Sequence, residues 1–329
     1  MDRHRARGRR ARPSRRKPLL YTALASAVLV GATAAGTVYM KAQAHDGPAA
    51  VSSAASASAS ASASASPSSS PAASEEASVE PVAEPSVDRD ALLAKALKTV
   101  PVADGTRTSV AVLDVGSGES AAYGDAAFDT ASIVKVNILA ALLLQAQDTD
   151  RHLTAQEKTY ATAMIENSDN ASATALWAAI GRADGLDTAN KRFGLTDTQG
   201  GDGELWGLTQ TTAIDQLTLL RQVFGDESKL SGTSRSYLQG LMGEIETDQQ
   251  WGVSAAADDG SQWALKNGWL ARSTTGLWDV NSIGRISVDG RAYLVATLSN
   301  GNSTQAKGIS LVEAVSKAAL SAFQDTTED

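Results

Sequence analysis

The chain has 329 residues, with 29 Lys and Arg against 37 Asp and Glu, three His and no Cys, which is room for one large domain or two small ones. Ten of the bases but only one acid, Asp2, fall in the first 44 residues, so the remainder carries 19 bases against 36 acids. That acidic surface excludes nucleic acid as a partner, and the missing cysteine excludes disulfides, thiol nucleophiles and Fe–S or Cys-built zinc sites.

Residues 1–18 are crowded with Arg, and residues 19–40 then run without a charge. At roughly 1.5 Å per residue such a stretch covers about 30 Å of hydrocarbon, and the Arg excess before it orients the amino terminus inside. Ala42-Gln43-Ala44 fits a cleavage site and a removed signal peptide, whereas the length of the apolar run fits a retained single-pass anchor. The tract Ser14-Arg15-Arg16-Lys17-Pro18-Leu19-Leu20 also resembles a twin-arginine signal, so the export route stays open. Residues 45–87 are Ala/Ser repeats with Pro67, Pro71, Pro81 and Pro85. They are too poor in large apolar side chains to offset the entropy of ordering and form a disordered linker, with a coil span of about 35–40 Å. The bulk of the protein is thus expected outside the cytoplasm, either anchored through residues 19–40 or released into the cell wall.

Residues 88–329 remain for folding, and no period of 20–50 residues recurs in them, so a solenoid or propeller is excluded. Asp88–Lys98 has helical spacing at Leu92, Leu93, Ala96 and Leu97; Arg107–Val115 reads as a strand ending in the turn Gly116-Ser117-Gly118. From Ser132 to about Glu246 the chain is mostly helical, with a Gly-rich interruption from Gly194 to Gly207. Strands follow at Gln262–Leu270, Leu277–Val288 and Arg291–Leu298, then a helix from Ile309 to Phe323. The order predicts an α/β (α+β) domain: one antiparallel sheet supplied by both ends of the segment and flanked by helices, with an all-helical lobe inserted. It is expected to be a monomer.

His4 and His45 lie in segments that should not fold, which leaves His152 as the one histidine of the domain, so neither a His-rich metal site nor a Ser-His-Asp triad is expected. A hydrolase built from this composition needs Ser or Thr as nucleophile and Lys, Asp or Glu as base. In Ser132-Ile133-Val134-Lys135 a helix starting at Ser132 puts the amine one turn on and on the same face, beside unpaired N–H groups of the helix start. The spacing alone is weak, since Ser14-Arg15-Arg16-Lys17 also matches it. The apolar helix around Lys135 is what distinguishes it, because burial lowers a lysine pKa toward a useful base. A second amine comes with Lys266-Asn267-Gly268-Trp269, on a strand whose Gly allows close backbone approach. Asn167-Ser168-Asp169-Asn170 offers a hydroxyl and an amide, or, in the plainer reading, an ordinary helix cap.

Ser-x-x-Lys, Ser-Asp-Asn and Lys-Asn-Gly, in that order, together resemble class A β-lactamases and penicillin-binding proteins. Phe128, the run Met164 to Ala173, Ile180-Gly181 and Asn281 extend the likeness over residues 88–329. The resemblance implies a β-lactamase/DD-peptidase-like fold with a cleft between sheet and helical lobe. It implies Ser132 as acylated nucleophile, Lys135 as its base, and Ser168 as proton relay to the leaving nitrogen. Asn170 would hold Lys135 and the substrate amide, Lys266 would face the substrate carboxylate, and Asn267, Gly268 and Trp269 would line the substrate. The N–H groups of Ser132 and Trp269 would form the oxyanion hole, each donor worth on the order of 3 kcal/mol. No metal or organic cofactor is implied. The implied function is β-lactamase-like, with a β-lactam as substrate; the alternatives are a D-Ala-D-Ala carboxypeptidase-like enzyme acting on peptidoglycan stems and a non-catalytic wall-binding module that keeps the cleft.

Three departures bear on that expectation. An ungapped alignment places the carboxylate that activates the hydrolytic water on Glu204, in Gly201-Asp202-Gly203-Glu204-Leu205-Trp206-Gly207-Leu208, without the Glu-Pro-x-Leu-Asn context of the family. The 36 residues from Ser132 to Ser168 lack a loop that lines one side of the cleft in β-lactamases, and Lys-Thr-Gly has become Lys266-Asn267-Gly268 before a bulky Trp269. Arg272 and Arg285 are candidate guanidinium receptors for a substrate carboxylate.

Overall fold

The computed structural model describes residues 87–324. The basic segment 1–18, the apolar run 19–40 and the linker as far as residue 86 lie outside the described residues. Among those described no helix is long and apolar enough to cross a membrane.

Helix α1 (Arg89–Leu97) starts where the Asp88 carboxylate accepts from the Ala91 N–H, and it buries Leu93 and Leu97. Strands β1 (Arg107–Asp114) and β2 (Ser120–Tyr123) form a hairpin, and β3 (Phe128–Asp129) follows. A 3-10 turn over Ala131–Ile133 then leads into α2 (Val134–Asp148). The helix thus begins two residues later than the sequence predicts, yet i and i+3 are aligned in a 3-10 turn, so Ser132 and Lys135 keep a common face. Twelve of the fifteen residues of α2 are buried, which makes it the central spine of the lobe rather than a surface helix.

Around that spine pack α3 (Ala155–Glu166), α4 (Asn170–Ile180), α5 (Arg182–Phe193), α6 (Ala213–Phe224) and α7 (Gly232–Gly243). Their ends are written in the sequence. Thr154 and Glu157 make a reciprocal capping box for α3. Asp169 caps α4, which stops at Gly181 in the left-handed conformation. The two-residue strand β4 (Gln210–Thr211) pairs with β3 across the interruption between α5 and α6.

The last third gives β5 (Ala264–Ala271), β6 (Trp278–Val288), β7 (Arg291–Asn302) and α8 (Gln305–Gln324). The main sheet is antiparallel in the order β2-β1-β7-β6-β5, and β1 pairs with β7 from Arg107↔Asn300 to Asp114↔Tyr293. Ala111, Leu113, Leu294 and Ala296 face the core shared with α2 and its neighbours, whereas Val110, Val112, Tyr293 and Val295 face α1 and α8. A sheet covered on both faces needs apolar residues at every position, and the last six residues of β1 are all buried. The predicted sheet with an inserted helical lobe is the architecture observed.

Candidate active site

Three pieces of chain distant in sequence meet at the edge of β5. The 3-10 turn carrying Ser132 lies against Gly268, where a Cβ would sit 2.7 Å from the Ser132 nitrogen and 2.8 Å from the Thr130 carbonyl oxygen. Only glycine permits that approach. Asn281 of β6 fastens the turn from beneath, its Nδ2 donating to the carbonyls of Asp129 (2.9 Å) and Thr130 (3.0 Å) while its Oδ1 accepts from Ser299 N–H (3.1 Å). Ala131 (φ +48°) and Ser168 (φ +54°) are both left-handed without being glycine, a conformation costing about 1–3 kcal/mol that persists where its surroundings impose it.

Lys135 is completely buried, and its ammonium donates to Ser168 O (2.6 Å), Ser168 Oγ (3.0 Å) and Asn170 Oδ1 (2.8 Å). Lys266, equally buried, donates to the same Ser168 Oγ (3.1 Å) and to its neighbour's carbonyl, Asn267 O (3.0 Å). Ser168 thus bridges two amines. Its neighbour Asp169 keeps the ordinary capping role, accepting from Ser172 N–H at 2.6 Å. The Ser132 hydroxyl is half-buried, makes no hydrogen bond among the described residues, and opens onto a cleft of about 580 Å³ with Asn170, Trp206, Trp269 and Arg272 on its walls.

Burial lowers Lys135 to about 7, against the pull of the Asp169 carboxylate, which favours the charged form. For Lys266 burial again acts first, and the charge of Lys135 then pushes it further down, well below the ordinary range. Two ammonium groups on one hydroxyl repel each other, so a neutral amine is accessible near pH 7, the condition for a general base.

Elsewhere the structure departs from the sequence reading. Glu204 lines the cleft, but its carboxylate accepts from Arg182 Nε at 2.6 Å with both side chains half exposed, so it is held by a surface cation and has no hydrogen bond to Ser132, Lys135, Ser168 or Lys266. The indole that follows takes the inner position: the Trp206 ring lies 5.0 Å from Lys135 Nζ, and its Nε1 donates to Thr174 Oγ1 at 3.1 Å. Asn267 does not face a substrate. Side chains alternate along a strand, so while Lys266 and Gly268 face the turn, Asn267 turns away, fully buried, and donates to the carbonyls of Gln249 (2.7 Å) and Trp251 (2.9 Å). Those bonds fix the loop whose Trp251 ring packs at 5.8 Å on Trp269. Arg272 lines the cleft but is paired with Asp129, and Arg285 lines a separate cleft with Glu244 and Trp263. Trp206 and the bracing role of Asn281 were missed in the sequence. A Trp two residues after the aligned acid was the one available signal for the former.

A sheet edge, a strained serine turn and a helical lobe around a central buried helix define the β-lactamase-like fold. A beta lactamase from Xanthomonas campestris pv. campestris is similar at TM-score 0.58 and 22% identity, over 71% of this chain and 97% of that one. PBP-A gives 0.61 and 22% over 71% and 96%, and a class A beta-lactamase from Mycobacterium abscessus 0.60 and 23% over 72% and 99%. A PBP-A mutant solved as an acyl-enzyme complex with penicillin-G is similar at 0.61 and 21% identity, over 71% and 96%. No curated protein matches the chain significantly. The model of the beta-lactamase enzyme family matches residues 148–323, more than half of the 329, and the chain belongs to that family.

Proposed function

We propose that the protein is a penicillin-recognising serine acyl-transfer enzyme that works outside the cytoplasm, forming an ester on Ser132 from a β-lactam or from an acyl-D-Ala-D-Ala peptide. The observation that carries this reading is the convergence of Lys135 and Lys266 on Ser168 Oγ, with Asn170, which holds Lys135, lining the same cleft as the free Ser132 hydroxyl. Neutral Lys135 takes the Ser132 proton as Oγ bonds to the carbonyl carbon, and the N–H groups of Ser132 and Trp269 hold the oxyanion. The carbon–nitrogen bond then breaks, and the leaving nitrogen takes its proton from Ser168 Oγ, which is resupplied by the lysines. Asn170 orients Lys135 and the substrate amide, and Trp269 forms the opposite wall.

Release of the ester needs an activated water. Glu204 lines the cleft but is held by Arg182, and the Trp206 indole lies against Lys135, which supports slow activation of that water and a long-lived ester. This favours the peptidoglycan-directed, penicillin-binding alternative over rapid drug hydrolysis, and the PBP-A mutant captured with penicillin-G supports it. The export segment 1–40 and the linker to residue 87 support action at the wall, on an anchor or after release. Intact-protein mass measurement after incubation with a labelled penicillin tests the reading. A single adduct on the wild type, absent from Ser132→Ala, is expected; no adduct, or an equal one on the variant, overturns it.

A further inference from the structure

The end of the cleft beyond Trp269 is closed by a charged cluster that the acylation chemistry does not use. Arg272 lies at the base of the β5–β6 hairpin, where its N–H donates to Leu277 O and its carbonyl accepts from Gly276 N–H, both at 2.8 Å. Its guanidinium pairs with the Asp129 carboxylate, three residues before Ser132, and Gln210 Nε2 donates to the same carboxylate. Arg272 nevertheless keeps 31% of its side chain exposed on the cleft wall. Behind Asp129 sits Asp279 of β6, only 4% exposed and opposite Leu270, two residues along the strand from Asn281, whose amide donates to the Asp129 carbonyl, so the Asp129 and Asp279 carboxyl groups act on each other. The groups facing Asp279 are therefore Asp129 from β3, Arg272 from the hairpin and Arg107 from β1.

Two neighbouring carboxyl groups do not both ionise cheaply, and the buried one is the one that keeps its proton. Burial first, then the Asp129 charge, raise Asp279 to about 7, while Arg272 and Arg107 pull the other way. With Asp279 neutral, Arg272 on the cleft wall answers one carboxylate, and with Arg107 behind it the group carries a surplus positive charge. With Asp279 ionised, the guanidinium answers two carboxylates and that surplus is gone.

We propose that Asp279 is a positioning residue for specificity: through Asp129 it decides how much of the Arg272 charge is offered to the cleft, and so how strongly the site prefers a ligand bearing a carboxylate. The inference rests on the cleft being the substrate site but does not need acylation to occur. The test uses the full chain with Ser132→Ala, which cannot form the ester, and measures Kd for benzylpenicillin and for its methyl ester at pH 5.5 and 8.5. Lys135 titrates in the same range across the cleft, so this protein is compared with the same chain also carrying Asp279→Asn or Arg272→Gln.

The preference for the acid over the ester is expected to fall on going to pH 8.5 about threefold more with Asp279 present than with Asn, as expected for one charge near a protein surface. Arg272→Gln is expected to weaken the preference at both pH values. Equal pH dependence with Asp or Asn at 279 overturns the inference and leaves the acyl-transfer reading standing. No binding of either probe overturns it together with the cleft as the substrate site, while the labelled-penicillin assay on wild type reports separately on the acyl-transfer reading.

Discussion

The two walls of the cleft are built differently. On the sheet side Lys266 and Asn281 have no exposed surface, the Asn281 amide of β6 ties down the Ser132 turn, and Gly268 of β5 packs directly against it. On the opposite side, Trp206 is anchored on Thr174 and Lys135, but the Glu204 carboxylate is held only by an ion pair in solvent, and Leu205 is 56% exposed. A group sealed in low dielectric has its pKa and direction fixed by its neighbours, whereas an exposed pair contributes little and constrains little. The wall that would make the ester is therefore pre-organised, and the wall that would supply a water-activating carboxylate in the family pattern is not.

The sharpest way to break the comparison is to remove the base. Lys135→Ala is expected to slow acylation by about 10²–10⁴-fold. In the wild type the rate should rise with pH through about 7, because Lys135 is depressed to that value and only its unprotonated form accepts the Ser132 proton. Rates of acylation by a chromogenic cephalosporin from pH 5.5 to 9 check both, and a wild-type profile flat over that range would contradict the assignment. Stability has the same sign: between about 7 and 10.5 the unfolded chain binds the proton that folded Lys135 has lost, so this group's cost to folding shrinks as pH rises.

A smaller effect is expected from Gly268→Ala. The added methyl meets backbone atoms on both sides of Ser132, at 2.7–2.8 Å, so the turn must shift, and acylation should drop on the order of 100-fold. Its ratio to the Lys135→Ala loss shows whether position or proton transfer dominates.

The smallest effect belongs to the other wall. Glu204→Gln removes only a half-exposed ion pair, so ester release, followed by mass, should change less than about twofold, and the folding free energy by about 1 kcal/mol or less. A tenfold slower release would put the Glu204 carboxylate on the hydrolytic water after all and erase the distinction between the walls.

Much of this arrangement was legible in the sequence because it rests on local rules. Apolar spacing placed the strands near the ends and the long helical middle, and the ordered Ser132, Ser168 and Lys266 stretches are the ones that the fold brings together. What escaped depends on long-range pairing. The strands β2, β3 and β4 are two to four residues long, too short for any period to register. Asn267 was misread because strand register, not residue type, decides which face a side chain takes. Glu204 was correctly put on the cleft loop, but its distance along the chain says nothing of the Arg182 that captures it. Asp279 carried no motif, since its partners Asp129 and Arg272 are brought to it by the sheet.

The pairing of β1 with β7 also bears on synthesis. Residues 107–114 find their partners only at 293–300, and α1 closes on the final helix through Arg89, which donates to Ala322 O at 3.0 Å. While it is being made, the nascent chain must wait with a half-finished sheet until β7 has emerged from the ribosome. That delay leaves residues 107–114 without their partner strand for most of synthesis.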